Sequence, residues 1–180
     1  MIRGYKSFSS NGTNQAHEIM EAGKKYHCDG IIKYNKNGYH LATNFEDTIA
    51  FSDIVDSDGN SNDLHDVIIA EVIGSGDIDK VSDMYANYYG YFDMYACSDI
   101  EIVRFIPREE LMKMALELNN VRMERFVSYL KMSSEELKLF QGYNIRVDAA
   151  IEYYHNNNKN IYETKNYQKL IKRKYKRGNI

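Results

Sequence analysis

Tryptophan is absent from this chain of 180 residues, proline occurs once, at Pro107, and cysteine twice, at Cys28 and Cys97. Two cysteines this far apart, with no CxxC, CxxH or HxxxH spacing around them, exclude a disulfide framework and a zinc finger and are expected as buried thiols. With a single proline, chain reversals must come from glycine and asparagine. No run of about 18 apolar residues occurs, which argues against a membrane-spanning helix. The opening MIRGYKSF lacks the apolar stretch of a signal peptide. The expectation is a cytoplasmic protein with no membrane partner, long enough to bury a core without metal or disulfide.

What is present is charge, unevenly placed. Residues 1–110 hold 9 Lys and Arg against 19 Asp and Glu, a net −10, whereas residues 111–180 hold 14 against 7, a net +7. A basic half can bind nucleic-acid phosphates through counterion release, and an acidic half can enter a basic protein groove. The two halves can also neutralise one another within the fold.

The pattern of elements is α+β. Residues 2–8 alternate apolar with polar residues and run into Asn11-Gly12, a strong turn signal, so a first hairpin is expected with its return strand at 14–20. Asn37-Gly38 predicts a second hairpin, between strands near 31–35 and 39–42. Phe45, Ile49 and Ala50 are spaced helically behind the acids Glu46 and Asp47, giving a short helix over 45–54. The loop 56–66 is all turn formers. VIIAEVI at 67–73 reads as a buried strand, GSGD at 74–77 as a turn, and 84–96 and 100–106 as further strands.

Pro107 then opens a helical half at a first-turn position. A break is expected at Asn119-Asn120, and Ser133 to Glu136 reads as a capping box for a helix ending at Gly142. Two more helices are expected near 145–155 and 161–176. The resulting organisation is a β-rich acidic domain over 1–106, an antiparallel or mixed sheet with N-terminal hairpins and one short helix, and a basic helical subdomain over 107–180 packed on it.

Sites are sparse. Asp56, Asp58 and Asn60 begin like a calcium loop, but Val67 stands where the bidentate glutamate belongs and Ser61 at the glycine position, so no metal is expected. GSGD lacks the spacing of a phosphate cradle, and no cofactor motif occurs. Of the five histidines, none at ligand spacing, His17 beside Glu18 and His40 on the second hairpin are the ones to watch. Lys165 to Arg177 carries seven basic residues with Tyr167 and Tyr175 interleaved, a combination suited to RNA. Tyr167, Leu170, Ile171 and Tyr175 also trace one helical stripe that can dock by its apolar face.

Residues 1–111 resemble a family of small phage and prophage proteins of undefined function, through RGYKSF at the start, GKKYHCDG at 23–30, NGYHLATNFED at 37–47, VIIAEVIGSGDI, and YACSDIEIVRFIPREEL at 95–111. Tyr39, Leu41, Ala42, Thr43 and Phe45 depart from that family's central Gly-Phe-His, Cys and Asn-Pro pattern, and the helical half is not covered. The chain also resembles type II anti-CRISPR proteins, inhibitors of a guide-RNA-dependent nuclease. That resemblance implies an N-terminal hairpin acting on the guide RNA, with the effector nuclease and its guide as partners. Arg3 and Lys6 would then contact RNA, Lys172, Arg173, Lys174 and Arg177 would add electrostatic attraction, and His17 would be the base if the guide were cut. GYHLATNFEDTIAF is similar, too, to the strand-then-helix element of ADP-ribosyltransferases. That similarity implies NAD as the substrate and Glu71 or Glu101 as the catalytic glutamate; a non-enzymatic phage structural or interaction protein is the remaining alternative.

Overall fold

The structure, a computed structural model, describes residues 1–14, 18–34, 36–50, 64–80 and 93–155. The chain divides into two units, Met1–Gly59 with Asp66–Arg108, and Asn60–His65 with Glu109–Ile180. The fold is α+β: among the described residues, a five-stranded antiparallel sheet with five helices, most of them C-terminal.

In the first unit the strands are β1 (Ile2–Ser9), β2 (Lys25–His27), β3 (Tyr39–Ala42), β4 (Val67–Lys80) and β5 (Met94–Phe105), with α1 (Phe45–Ala50) after β3. β1 pairs with β4 over eight residues, from Ile2 opposite Gly74 to Ser9 opposite Val67. β4 pairs with β5, β5 with β3, and β3 with β1, so four strands close into a ring. β2 lies beside β3 along the same edge of β5. The inward residues Phe8, Leu41, Ala70, Val72, Cys97, Ile100 and Ile102, with Met20, form one buried cluster. Cys97 is therefore a core thiol, its pKa pushed up to about 11 by burial. On the outer face α1 packs against β1, with Phe45 edge-on to Tyr5 at 5.9 Å and the Ser7 hydroxyl donating to the Thr48 carbonyl at 2.8 Å. Two acids of α1, Glu46 and Asp47, are buried, and Asn44 Nδ2 donates to Asp47 Oδ2 at 3.0 Å.

Several local expectations give way to longer-range pairing. Of the return strand expected at 14–20, residues 15–17 lie outside those described, and Asn14 and residues 18–20 form no strand against β1. Ser9, Asn11 and Thr13 bond one another through their side chains, Thr13 bridges Ile19, and the small loop so closed leaves β1 to pair with β4. The polar 14–20 stretch offers little to bury, whereas β4 supplies a run of buried apolar residues. The second expected hairpin reduces to one bridge, Lys33 with Asn37, and β3 pairs with β5 and β1 instead. GSGD is not a turn. β4 runs through it with a bulge between Ser75 and Ile78. One strand, β5, replaces the expected break between 96 and 100; residues 84–92 lie outside those described, as do 51–54, the calcium-like loop at 56–63, and the helix expected at 161–176.

The second unit holds α2 (Arg108–Leu116), α3 (Asn120–Tyr129), α4 (Ser134–Phe140) and α5 (Ile145–Ala150), which continues into a π-helical turn, Ile151–His155. The break expected at Asn119-Asn120 is an N-cap, the Asn119 side chain accepting from the amides of Val121 and Arg122. Ser133 and Glu136 form the capping box, each side chain bonding the other's backbone amide. Met123, Phe126, Leu130, Phe140 and Val147 are fully buried, and Phe126 and Phe140 lie 6.0 Å apart. Among the described residues no helix is long and apolar enough to cross a membrane.

Candidate nucleic-acid interface

The segment from Lys24 to Lys36 carries four lysines, all exposed, on a scaffold that is itself well fixed. β2 lies antiparallel on β5 with Lys25 opposite Glu101, Tyr26 opposite Ile100 and His27 opposite Asp99. Strand alternation turns Tyr26 toward the core and leaves Lys25 and His27 outside. The Tyr26 hydroxyl accepts from the Glu21 amide at 2.7 Å, and Lys24 pairs with Glu21 at 2.6 Å. Lys25, 78 % exposed, lies 3.4 Å from Glu101.

The following loop is pinned by Asn37. Its Nδ2 donates to the carbonyl of Asp29 at 2.9 Å and its Oδ1 accepts from the Cys28 thiol at 3.0 Å. The Tyr34 amide donates to Asp79 at 2.7 Å and the Tyr34 ring stands edge-on to His40 at 5.0 Å. Lys33 and Lys36 are carried outward on this loop, with no carboxylate within ion-pair distance among the described residues. Pairing register puts Arg3, Ile73, Glu101 and Lys25 in one row across β1, β4, β5 and β2, so exposed Arg3 shares the outer face with Lys25.

The same segment carries His27, exposed on β2. Its Nδ1 lies 2.8 Å from Asp99 and its Nε2 3.2 Å from the fully exposed Asp29. The hydrogen bond that the ring donates to Asp99, helped by the charges of Asp99 and Asp29, holds the imidazole above its ordinary pKa of 6.5. Asp99 is braced in turn: the Ser98 hydroxyl donates to it at 2.7 Å and accepts from the Asp77 amide at 3.0 Å. These bonds, Ser98 first and His27 second, lower the Asp99 pKa. The bulge in β4 makes the bracing possible. Gly76 adopts φ +73°, and a Cβ there would overlap both Ser98 Oγ and an Asp99 carboxylate oxygen.

The residues singled out in the sequence fall in different places. Arg3 is exposed and Lys6 half-buried, and their odd and even positions put them on opposite faces of β1. The Lys6 ammonium turns to the His40 carbonyl, 3.2 Å away. His40 is half-buried, and burial first, then the Lys6 charge, lowers its pKa to about 4, so it is neutral near pH 7. His17, Lys172, Arg173, Lys174 and Arg177 lie outside the described residues. Glu71 is bound by Arg104 at 2.6 Å. Both Glu71 and Glu101 are half-buried.

The lysines of residues 24–36 and His27 were missed by sequence reasoning. A signal existed, four lysines interleaved with Tyr26 and Tyr34, but it lay inside an acidic half whose total charge masked it. The reverse holds for the helical half. Residues 109–155 carry 6 basic against 8 acidic residues, so the cationic excess of that half belongs to 156–180, with 8 against one. Among the described residues no group of three or more His, Cys, Asp or Glu is placed to hold a metal ion. Comparison with protein-family models, curated proteins and solved structures finds no match.

Proposed function

We propose that this chain is an inhibitor of bacterial defence carried by a mobile element, an anti-CRISPR protein that disables a type II effector nuclease in the host cytoplasm by engaging its guide RNA. The observation that carries the reading is the four exposed lysines of one short segment, Lys24, Lys25, Lys33 and Lys36, with Arg3 on the same outer face as Lys25; Lys33 and Lys36 have no carboxylate within ion-pair distance among the described residues. Ammonium groups on a fixed strand and loop neutralise phosphates without reading base identity. Tyr26 and Tyr34 are committed to internal hydrogen bonds, so base stacking is not what this surface offers. The cations of 165–177 add to the attraction. The remaining acids of the first unit, Asp77, Asp79 and Asp93 among them, suit the basic channel of the nuclease that holds the guide.

The reading is tested by the salt dependence of guide-RNA binding. Each phosphate contact contributes roughly 0.7–0.9 to the slope of log K against log salt. The variant with Lys24, Lys25, Lys33 and Lys36 all changed to Ala is expected to flatten that slope by about two to four, and removal of residues 165–180 to flatten it separately. Binding that ignores both changes removes the RNA interface.

A second reading, an NAD-dependent ADP-ribosyltransferase, draws on one observation: β3 leads within three residues into α1, the strand-then-helix order that such enzymes require. Its test is transfer of labelled ADP-ribose from NAD, with loss in Glu71→Ala or Glu101→Ala.

A further inference from the structure

Lys6 occupies an inward position of β1, sharing the parity of Gly4 and Phe8, where every strand of the ring otherwise contributes apolar or small side chains to the core. Its cross-strand neighbour is Ala70, fully buried. The ammonium lies 5.7 Å from the centre of the Phe8 ring and gives one hydrogen bond, 3.2 Å, to the carbonyl of His40. Among the described residues no carboxylate pairs with it. The titratable neighbour is His40, which adds no negative charge. A cation placed over an apolar wall with a single neutral acceptor is poorly solvated, and the cheapest relief is loss of its proton.

The local backbone leaves this amine a way out. β1 and β3 are paired only at Tyr5 and Ala42, and Lys6, one residue beyond that pair, is mostly buried but keeps a minor part of its surface exposed. We propose that Lys6 is a nucleophilic lysine, a site at which a small aldehyde condenses with the Nζ amine. The nitrogen lone pair attacks the carbonyl carbon, the carbonyl oxygen leaves as water with the two amine protons, and an imine joins Lys6 to the former aldehyde. Phe8 and the His40 carbonyl flank the new C=N bond, and an apolar substituent on the aldehyde suits the wall they form. Desolvation supports the assignment by lowering the Lys6 pKa from 10.5 to about 8. At pH 7.5 that leaves about a quarter of the amines neutral, against roughly one in a thousand for an exposed lysine.

The test is competitive labelling of the folded protein with formaldehyde and cyanoborohydride at pH 7.5, which traps each imine as a methylated lysine, followed by peptide mass spectrometry. Lys6 is expected to be labelled at least tenfold faster than Lys25, its rate levelling off near pH 8 while that of Lys25 keeps rising. In Lys6→Met the fast phase should vanish with the remaining lysines unchanged. Labelling of Lys6 at or below the rate of Lys25 overturns the proposal.

Discussion

Leu41 fills the space that a side chain on Gly74 would need: a Cβ built on Gly74 would stand 2.5 Å from Leu41 Cδ2. The same leucine, 1 % exposed, closes over Gly4, whose Cβ would stand 2.8 Å from Leu41 Cδ1 and collide with the carbonyl of Ala42. Two glycines on neighbouring strands thus admit one large side chain from a third, and the narrow ring is packed solid.

That packing sets a pair of stability effects. Leu41→Ala is expected to cost about 2–5 kcal/mol through the cavity it leaves, and Gly74→Ala about 1–3 kcal/mol through overpacking against Leu41 and Cys97. Because both act on one space, the double variant should lose less than the sum of the singles. Urea unfolding of all four proteins checks this, and strict additivity would mean the two sites do not share the space.

Arg104 and Glu71, 2.6 Å apart on neighbouring strands, are each more than a third exposed, so solvent screens the pair. A double-mutant cycle to Ala is expected to give a coupling of roughly 0.2–1 kcal/mol, shrinking in 1 M salt. A coupling that survives high salt undiminished would show that water does not reach the pair.

The link between His27 and Asp99 has a definite pH signature. His27 titrates above 6.5 when folded, so its part of the stabilisation is present below 6.5 and is lost as pH rises through the raised folded value. Asp99 titrates below 3.8 when folded, so its part is present above 3.8 and is lost as pH falls through the lowered value. The pair therefore helps most between about pH 4 and 6.5. An NMR titration of the His27 ring should place its midpoint above 6.5, with Asp99→Asn moving it down; an unmoved midpoint would remove Asp99 as the cause.

Helix capping offers a local check on the second unit. Asn119→Ala deprives two amides at the start of α3 of their acceptor and is expected to cost about 0.5–2 kcal/mol, with Asn119→Asp nearly neutral. Thermal unfolding of the two variants compares them. Equal losses from both would assign the effect to something other than the cap.

Features of this second unit were the most legible in the sequence, because caps act within one turn. Asn119, Ser133 with Glu136, and Pro107 ahead of α2 each mark a boundary through backbone chemistry that needs no distant partner. The sheet was legible as strands but not as pairings. Asn11-Gly12 promised a local hairpin, yet β1 buries more by pairing with β4, about 65 residues away in the chain. GSGD looked like a turn because glycine also serves bulges, and only the arrival of Ser98 and Asp99 opposite Gly76 distinguishes the two uses. The interface suffered in the same way: Lys6 and Arg3 are three residues apart, and their opposite parity follows from pairing alone. Lys25 and Arg3 share a face only once β4 and β5 stand between them.

The most direct test of the inhibitor reading is cleavage of target DNA by a guide-loaded type II effector nuclease, followed with increasing amounts of this protein. Slowed cleavage by the native protein is expected, with most of the effect gone when Lys24, Lys25, Lys33 and Lys36 are all alanine and the fold is retained. A cleavage rate that stays constant across a wide range of native protein would contradict it.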